Sequence, residues 1–308
     1  MQAPFPKFRP WPHRLALMTA CAVFPLIFVG AGVTSKDAGM AYRYGWLSDG
    51  YFWNPPDWTA NEATLWEHGH RLLGRAVGLM AIALAVVSWR SDGVIRVMGI
   101  VSLLAIIAQG LLGIFRVDLI STKFAMIHGI GAQVCFCIVA ATALITSRRW
   151  IGRADFTTVR AGNFLGKLTL VAVLFVFLQM VTGAAARHFA GDVAVGSHVF
   201  LAIAVTFLLG WVCMWVSGSF PASNLMGVLG RLISAAMVIQ LMLGGASFLV
   251  VTLGAFQDPL VLWLVPTLHT AVGACLLVGC LLLHMTCRRM VGDSTTCAAN
   301  LGGTVAVS

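Results

Sequence analysis

Eight apolar stretches of about 20 residues each recur along this 308-residue chain, and they constrain its fold more than any motif does. That is the length an α-helix needs to cross a hydrocarbon core roughly 30 Å thick. The stretches predict helices near 13–33, 66–89, 94–114, 124–146, 163–185, 195–217, 226–253 and 261–286. Charged residues make up 10% of the chain and hydrophobic residues 59%, whereas soluble domains are roughly 25% charged. A soluble fold cannot hide so much apolar surface. The expected fold class is therefore all-α integral membrane, with eight transmembrane helices.

The net charge is +9. Its carriers sit mainly in short loops, with no basic patch interleaved with exposed aromatics, so nucleic acid is not an expected partner. The segments richest in base are the N-terminal arm (Lys7, Arg9, Arg14), the second–third connection (Arg90, Arg96), the fourth–fifth connection (Arg148, Arg149, Arg153, Arg160) and the tail (Arg288, Arg289). The alternate loops hold fewer. Positive loops stay inside, so both termini are expected in the cytoplasm and the chain in a cell membrane. The basic, proline-rich start leads into Leu15–Gly32, too long for a signal-peptide core, which reads as an uncleaved first helix. The eight cysteines form no CxxC, which leaves thioredoxin-like chemistry and covalent haem attachment unsupported. The predicted outer loops hold no cysteine, so no external disulfide is expected.

The basic stretch Arg148–Arg160 divides the chain. The expected organisation is a basic cytoplasmic arm (1–12), an N-terminal four-helix half (13–147), a basic linker (148–162), a C-terminal four-helix half (163–287) and a disordered tail (288–308). The halves are weakly alike. Gln109-Gly110-Leu111-Leu112-Gly113 precedes His128, and Gln240-Leu241-Met242-Leu243-Gly244-Gly245 precedes His269. The first helix of each half ends Gly/Ala-rich, at Gly30–Gly39 and Gly183–Gly191. Two halves of even helix number share one orientation, which implies two four-helix bundles related by a pseudo-twofold along the membrane normal.

Four histidines carry the functional signal. His70, His128, His198 and His269 each fall near the start of an even-numbered helix, all at similar depth near the outer face. Such residues in membrane helices are costly and usually functional. Four positions after each stands a small residue: Gly74, Ala132, Ala202 and Gly273. Residues i and i+4 share a helix face, so each imidazole stands over a flattened strip suited to a planar macrocycle, and haem iron takes axial imidazoles. The plainer explanation of the strip is that small residues let membrane helices pack. As iron ligands the four make two pairs, His70 with His128 and His198 with His269. The pairs differ in surroundings. Glu67, Arg71 and Arg75 form an i, i+4, i+8 stripe beside His70, whereas Val195 and Val199 flank His198. This asymmetry suggests one reactive site and one electron-transfer site; alternatively Glu67–Arg71 is structural or binds a haem propionate. His68 points away from His70, and His188, beside Arg187, is either a propionate partner or a plain loop residue.

The chain resembles the haem A synthase family. The resemblance rests on Glu67-His68-Gly69-His70-Arg71, which looks like that family's Glu-x-x-His-Arg motif, on Gly32–Met40, like its first external loop, and on His128, His198 and His269 in helices four, six and eight; it spans about residues 13–286. It implies oxidation of the C8 methyl of haem O, by way of an alcohol, to the formyl group of haem A. Glu67, His70 and His128 would form the substrate site. Haem b would sit on His198 and His269, with Arg71, Arg75, Gly74 and Gly273 as further haem-binding residues. Implied partners are a membrane farnesyltransferase that makes haem O, cytochrome oxidase assembly, an electron donor and membrane lipid, with a homo-oligomer open. Two departures stand out: no cysteine pair in the first external loop, and a short fifth–sixth loop, Ala186–Val195, without the acidic histidine motif. Rival readings are a di-haem b-type cytochrome carrying electrons from quinol, in which Glu67 is dispensable, and a two-repeat transporter. Against the transporter, the halves share an orientation and no helix shows an obvious midplane break.

Overall fold

A computed structural model describes residues 8–91, 93–152, 163–189 and 191–302. Among these residues there are eight helices long and apolar enough to cross a membrane and no β-strand, only an isolated bridge pairing Ser48 with Tyr51. The helices are α1 (Pro10–Ser35), α2 (Glu62–Ser88), α3 (Gly93–Asp118), α4 (Thr122–Ile145), α5 (Asn163–Phe189), α6 (Asp192–Ser219), α7 (Leu225–Ser247) and α8 (Pro259–Gly302). A short helix, Arg148–Gly152, follows α4, and a π-helical turn, Phe248–Thr252, extends α7. The rest of the expected linker, residues 153–162, lies outside the described residues.

Several ends are set by caps that the apolar pattern alone does not show. The Asn61 side chain accepts from the Ala63 N–H at 2.8 Å, which starts α2 four residues before the expected position. Ser121 accepts from the Phe124 N–H at 3.3 Å at the start of α4, and Asn224 from the Met226 N–H at 2.8 Å at the start of α7. The last helix runs on to Gly302, past the expected boundary at 287.

The outer surfaces of the spans are apolar. Leu79, Val86, Phe200, Phe207, Met214 and Met242 are each more than 60% exposed. Apolar surface on this scale is stable only against lipid. Inside, α1 packs on α2 and α4, and α3 on the same two helices; α5 and α7 each pack on α6 and α8. One buried cluster joins α5–α8 through Leu165, Leu209, Val212, Met226, Ile233 and Leu283. A second links Val23, Ile27, Val77 and Val139 to Ala274 and Val278 of α8, so the two sets of helices share a seam. Where the N-terminal ends of α2 and α8 meet, the rings of Trp66 and Trp263 lie 5.2 Å apart at 62°. The Lys36 ammonium sits over both indoles, 5.4 and 4.3 Å from their centroids, and pairs with Glu62 at 2.5 Å.

The segment 36–61 between α1 and α2 folds back on the helix ends. Its own Ala38, Tyr42 and Ser48 are buried. Asp37, Asp49 and Asp57 take positive φ of 52°, 49° and 54°, a conformation that short polar side chains tolerate better than most. Asp49-Gly50 makes the tight turn that closes the Ser48–Tyr51 bridge.

Candidate functional site

The structure brings the four histidines together as two pairs. The His70 and His128 ring centroids lie 6.3 Å apart with their planes at 80°. The His198 and His269 centroids lie 6.2 Å apart at 89°. Among the described residues no group of three or more His, Cys, Asp or Glu side chains is placed to enclose a metal ion, so the histidines form open pairs rather than cages. Two imidazoles on opposite sides of one ion, each with a metal–nitrogen bond of about 2 Å and a ring radius of about 1 Å, place their centroids roughly 6 Å apart. Both pairs fit that spacing. The Nδ1 atoms of His70 and His269 are buried without a hydrogen-bond partner. His198 directs Nδ1 to the Gln179 carbonyl at 3.1 Å, and its Nε2 lies 3.4 Å from the Gln179 side-chain amide, a long contact that a ligand on Nε2 would replace.

Each histidine ring lies against a glycine of the preceding helix. A Cβ at Gly30 would stand 2.8 Å from Cε1 of His70; the corresponding distances are 3.0 Å for Gly113 and His128, 2.7 Å for Gly183 and His198, and 3.1 Å for Gly244 and His269. Only glycine lets the ring approach its neighbour so closely. Sequence reasoning looked instead for small residues on the histidine's own helix. Of these, a Cβ at Gly74 would meet open space, whereas at Gly273 it would meet the Gln240 amide at 3.0 Å. A spacing finds three of those four glycines: Gln109, Gln179 and Gln240 precede Gly113, Gly183 and Gly244 by one helical turn. The Gln109 amide lies 3.1 Å from Nδ1 of His128, that of Gln179 3.1 Å from Nδ1 of His198, and that of Gln240 3.4 Å from Nε2 of His269. Before Gly30 the corresponding residue is Leu26. His70 alone of the four therefore lacks a neighbouring amide from that position.

The acid and bases near His70 are divided between the protein and the open site. Glu67 is 4% exposed. One of its oxygens accepts from the Tyr42 N–H at 3.0 Å and the other from Arg71. Arg71 also donates to the carbonyls of Tyr44 at 2.7 Å and Leu47 at 2.9 Å. The pair thus ties the 36–61 segment to α2. Burial, reinforced by Asp49, pushes the Tyr42 phenol above its usual range. Arg75 stands apart from the pair, its guanidinium over the Phe52 ring at 5.1 Å and its Nη1 buried without a partner. Arg116, at the end of α3, lies within electrostatic reach of His70, His128 and Glu67. An apolar cleft of about 440 Å³ opens between α1 and α2 next to His70, lined by Val29, Leu65, Trp66, Gly69, Leu72 and Leu73.

The remaining histidines have other places. His68 is fully buried, with Nδ1 2.9 Å from Ser48 Oγ and Nε2 3.0 Å from Asn54 Oδ1, so it clasps the 36–61 segment from the opposite side. His13 faces the Ala143 carbonyl at 3.1 Å and His284 faces Thr169 Oγ1 at 3.0 Å. Arg187 and His188 lie in the last turn of α5 rather than in a loop.

The chain matches the COX15-CtaA family model, described as cytochrome oxidase assembly protein, over residues 59–196, just under half its length. That stretch contains Glu67, His70, Arg71, Arg75 and His128 and stops two residues before His198. The chain is 25% identical over 189 residues to a heme A synthase of Bacillus licheniformis, covering 58% of this chain and 60% of that protein. It is 44% identical over 77 residues to a protoheme IX farnesyltransferase of Haloarcula marismortui, covering 25% of this chain and 16% of that protein. Less than two thirds of either relative is spanned. The family match and the heme A synthase relative together support the haem A synthase family for this chain.

Proposed function

We propose that this chain is a multi-pass haem A synthase of the cell membrane. In this reading it oxidises the C8 methyl of haem O, by successive hydroxylation, to the formyl group of haem A. Haem O lies between His70 and His128, and haem b between His198 and His269. The observation that carries the reading is the pair of near-equal imidazole geometries, only one of which has a buried carboxylate–guanidinium pair beside it. The oxidant is dioxygen, and haem iron, when bound, would supply the oxygen-activating chemistry that acid–base side chains lack, with electrons from an external donor. The protein's own part is placement. His70 and His128 hold the substrate haem, and the 36–61 segment, tied down by Glu67–Arg71, covers them. Glu67 handles a proton at whichever carboxylate oxygen exchanges its partner. Arg75 offers its Nη1 to a propionate, and the α1–α2 cleft gives the apolar tail of haem O a place open to lipid.

The same reading holds that two four-helix bundles are related by a pseudo-twofold along the membrane normal. The matching pairs His70/Gly30 with His198/Gly183, and His128/Gly113 with His269/Gly244, support it. Both termini lie in the cytoplasm. In support, Arg14, Arg90, Arg96, Arg148, Arg149, Arg231, Arg288 and Arg289 all lie toward the helix ends opposite the 36–61 segment, and short basic loops stay on the cytoplasmic side. A haem O-forming farnesyltransferase supplies the substrate, and cytochrome oxidase assembly uses the product. The electron-carrier alternative draws on the likeness of the two pairs.

The decisive experiment expresses the chain with a haem O synthase in a host lacking its own haem A pathway, then separates the extracted haems by chromatography with mass detection. Haem A, or its alcohol precursor, is the expected product. Unchanged haem O with haem b bound to the protein favours the electron carrier. In the same assay Glu67→Gln should lower the yield of oxidised haem at least tenfold; full yield removes Glu67 from the chemistry.

Gly183→Ala tests the backing of the histidines. The new methyl would stand 2.7 Å from the His198 ring, so the ring must turn and haem occupancy of the C-terminal pair should fall several-fold, read as pyridine haemochrome per protein. Unchanged occupancy would show that the ring has room to spare.

A further inference from the structure

A charged side chain inside the membrane is costly unless its donors are satisfied, and its position is then informative. Arg187, in the last turn of α5, makes three such bonds to two other helices. Nη2 donates to the Ala31 carbonyl at 2.8 Å and to Ser35 Oγ at 2.6 Å, both on α1, and Nη1 donates to Thr270 Oγ1 of α8 at 3.3 Å. Ser35 in turn meets Thr267 Oγ1 of α8 at 3.0 Å. The acceptors stand next to the two histidine pairs. Ala31 follows Gly30, against which the His70 ring rests, and Thr270 follows His269. His269 also lies within electrostatic reach of the guanidinium.

We infer that Arg187 is a positioning residue coupling the two histidine pairs, so that what the His70–His128 pair holds alters the haem held by His198 and His269. The inference rests on the haem reading given above. A planar fork of donors reaches three acceptors at once, which a lysine ammonium on a flexible stem does not reproduce. Movement of the Gly30 backbone under a loaded His70 is passed through the Ala31 carbonyl and the guanidinium to the turn of α8 beside His269. Coupling of this kind is reciprocal.

A double-mutant cycle tests it. The full chain is purified with its haem, and the midpoint potential of the His198–His269 haem is measured by spectroelectrochemical titration with His70 intact and with His70→Ala. In the native background His70→Ala shifts that midpoint. In Thr270→Val, which cuts the link to α8 and leaves the guanidinium in place, the shift falls to less than half. In Arg187→Met it is lost, and in Arg187→Lys only part returns. The cycle cancels any direct effect of Thr270→Val on the adjacent His269. Thr270→Val decides the matter alone if Arg187→Met does not accumulate. An equal shift in native and Thr270→Val backgrounds overturns the coupling while leaving the haem reading standing, and so does the absence of any shift in the native background. A native chain that purifies without haem overturns the haem reading, and the coupling with it.

Discussion

Glu67→Ala is expected to destabilise the fold by about 3 kcal/mol and to release the 36–61 segment. Breaking a buried ion pair from one side typically costs this much, because the surviving charge stays buried. The Arg71 side chain is only 10% exposed, and its remaining acceptors are carbonyls of the segment itself. The Tyr42 N–H loses its acceptor in the same step. Limited proteolysis of detergent-solubilised protein should therefore cut within 36–61 far faster in Glu67→Ala than in the native chain, with thermal unfolding shifted down. Glu67→Gln keeps an acceptor for Tyr42 and should be destabilised much less. The two variants separate the roles: an equal loss of product in both points to chemistry at the carboxylate, and a loss confined to Glu67→Ala points to the cover over His70. Native-like proteolysis of Glu67→Ala would refute the tie.

The second large effect is expected from His198→Ala and His269→Ala. Each removes one of two imidazoles at a pair with no third ligand among the described residues. Haem b, if resident there, should be lost or converted from six-coordinate low-spin to five-coordinate high-spin. The change is read in the optical spectrum of purified protein. His70→Ala should leave that haem in place while abolishing oxidised product. His13→Ala and His284→Ala are the comparison, because both rings are used in hydrogen bonds between helices; their haem content should be unchanged. Full low-spin haem in His198→Ala would remove that residue from the ligand set.

Much of this was legible in the sequence, for reasons that are physical. The hydrocarbon core sets helix length, so the eight spans stand out from apolar runs alone. The four histidines stand out because their cost in a membrane is high and their placement regular. The ends of the helices were less legible: the start of α2 depends on the Asn61 side chain, and α5 carries Arg187 and His188 past its expected end at residue 185. The glycines that back the rings were not read from the sequence. The small residues on the histidine's own helix drew attention, whereas the close approach is made across to Gly30, Gly113, Gly183 and Gly244 of the preceding helices. Tertiary pairing of helices decides that, and a single helix's pattern does not contain it. Arg71 was read as a partner of either Glu67 or a haem propionate; its donors go to Glu67, as the i, i+4 spacing allowed, and also to the carbonyls of Tyr44 and Leu47. That use depends on how an irregular 26-residue segment folds back, which no periodicity reveals.

The indoles of Trp66 and Trp263, 5.2 Å apart and inclined at 62°, give the seam between the two sets of helices an optical signature of its own. Transition dipoles that close couple, so the pair should contribute an exciton couplet to the ultraviolet circular dichroism, absent in Trp263→Phe. Any ligand or detergent that parts α2 from α8 at their N-terminal ends would then announce itself as a fading couplet, in unlabelled protein and before helix content changes.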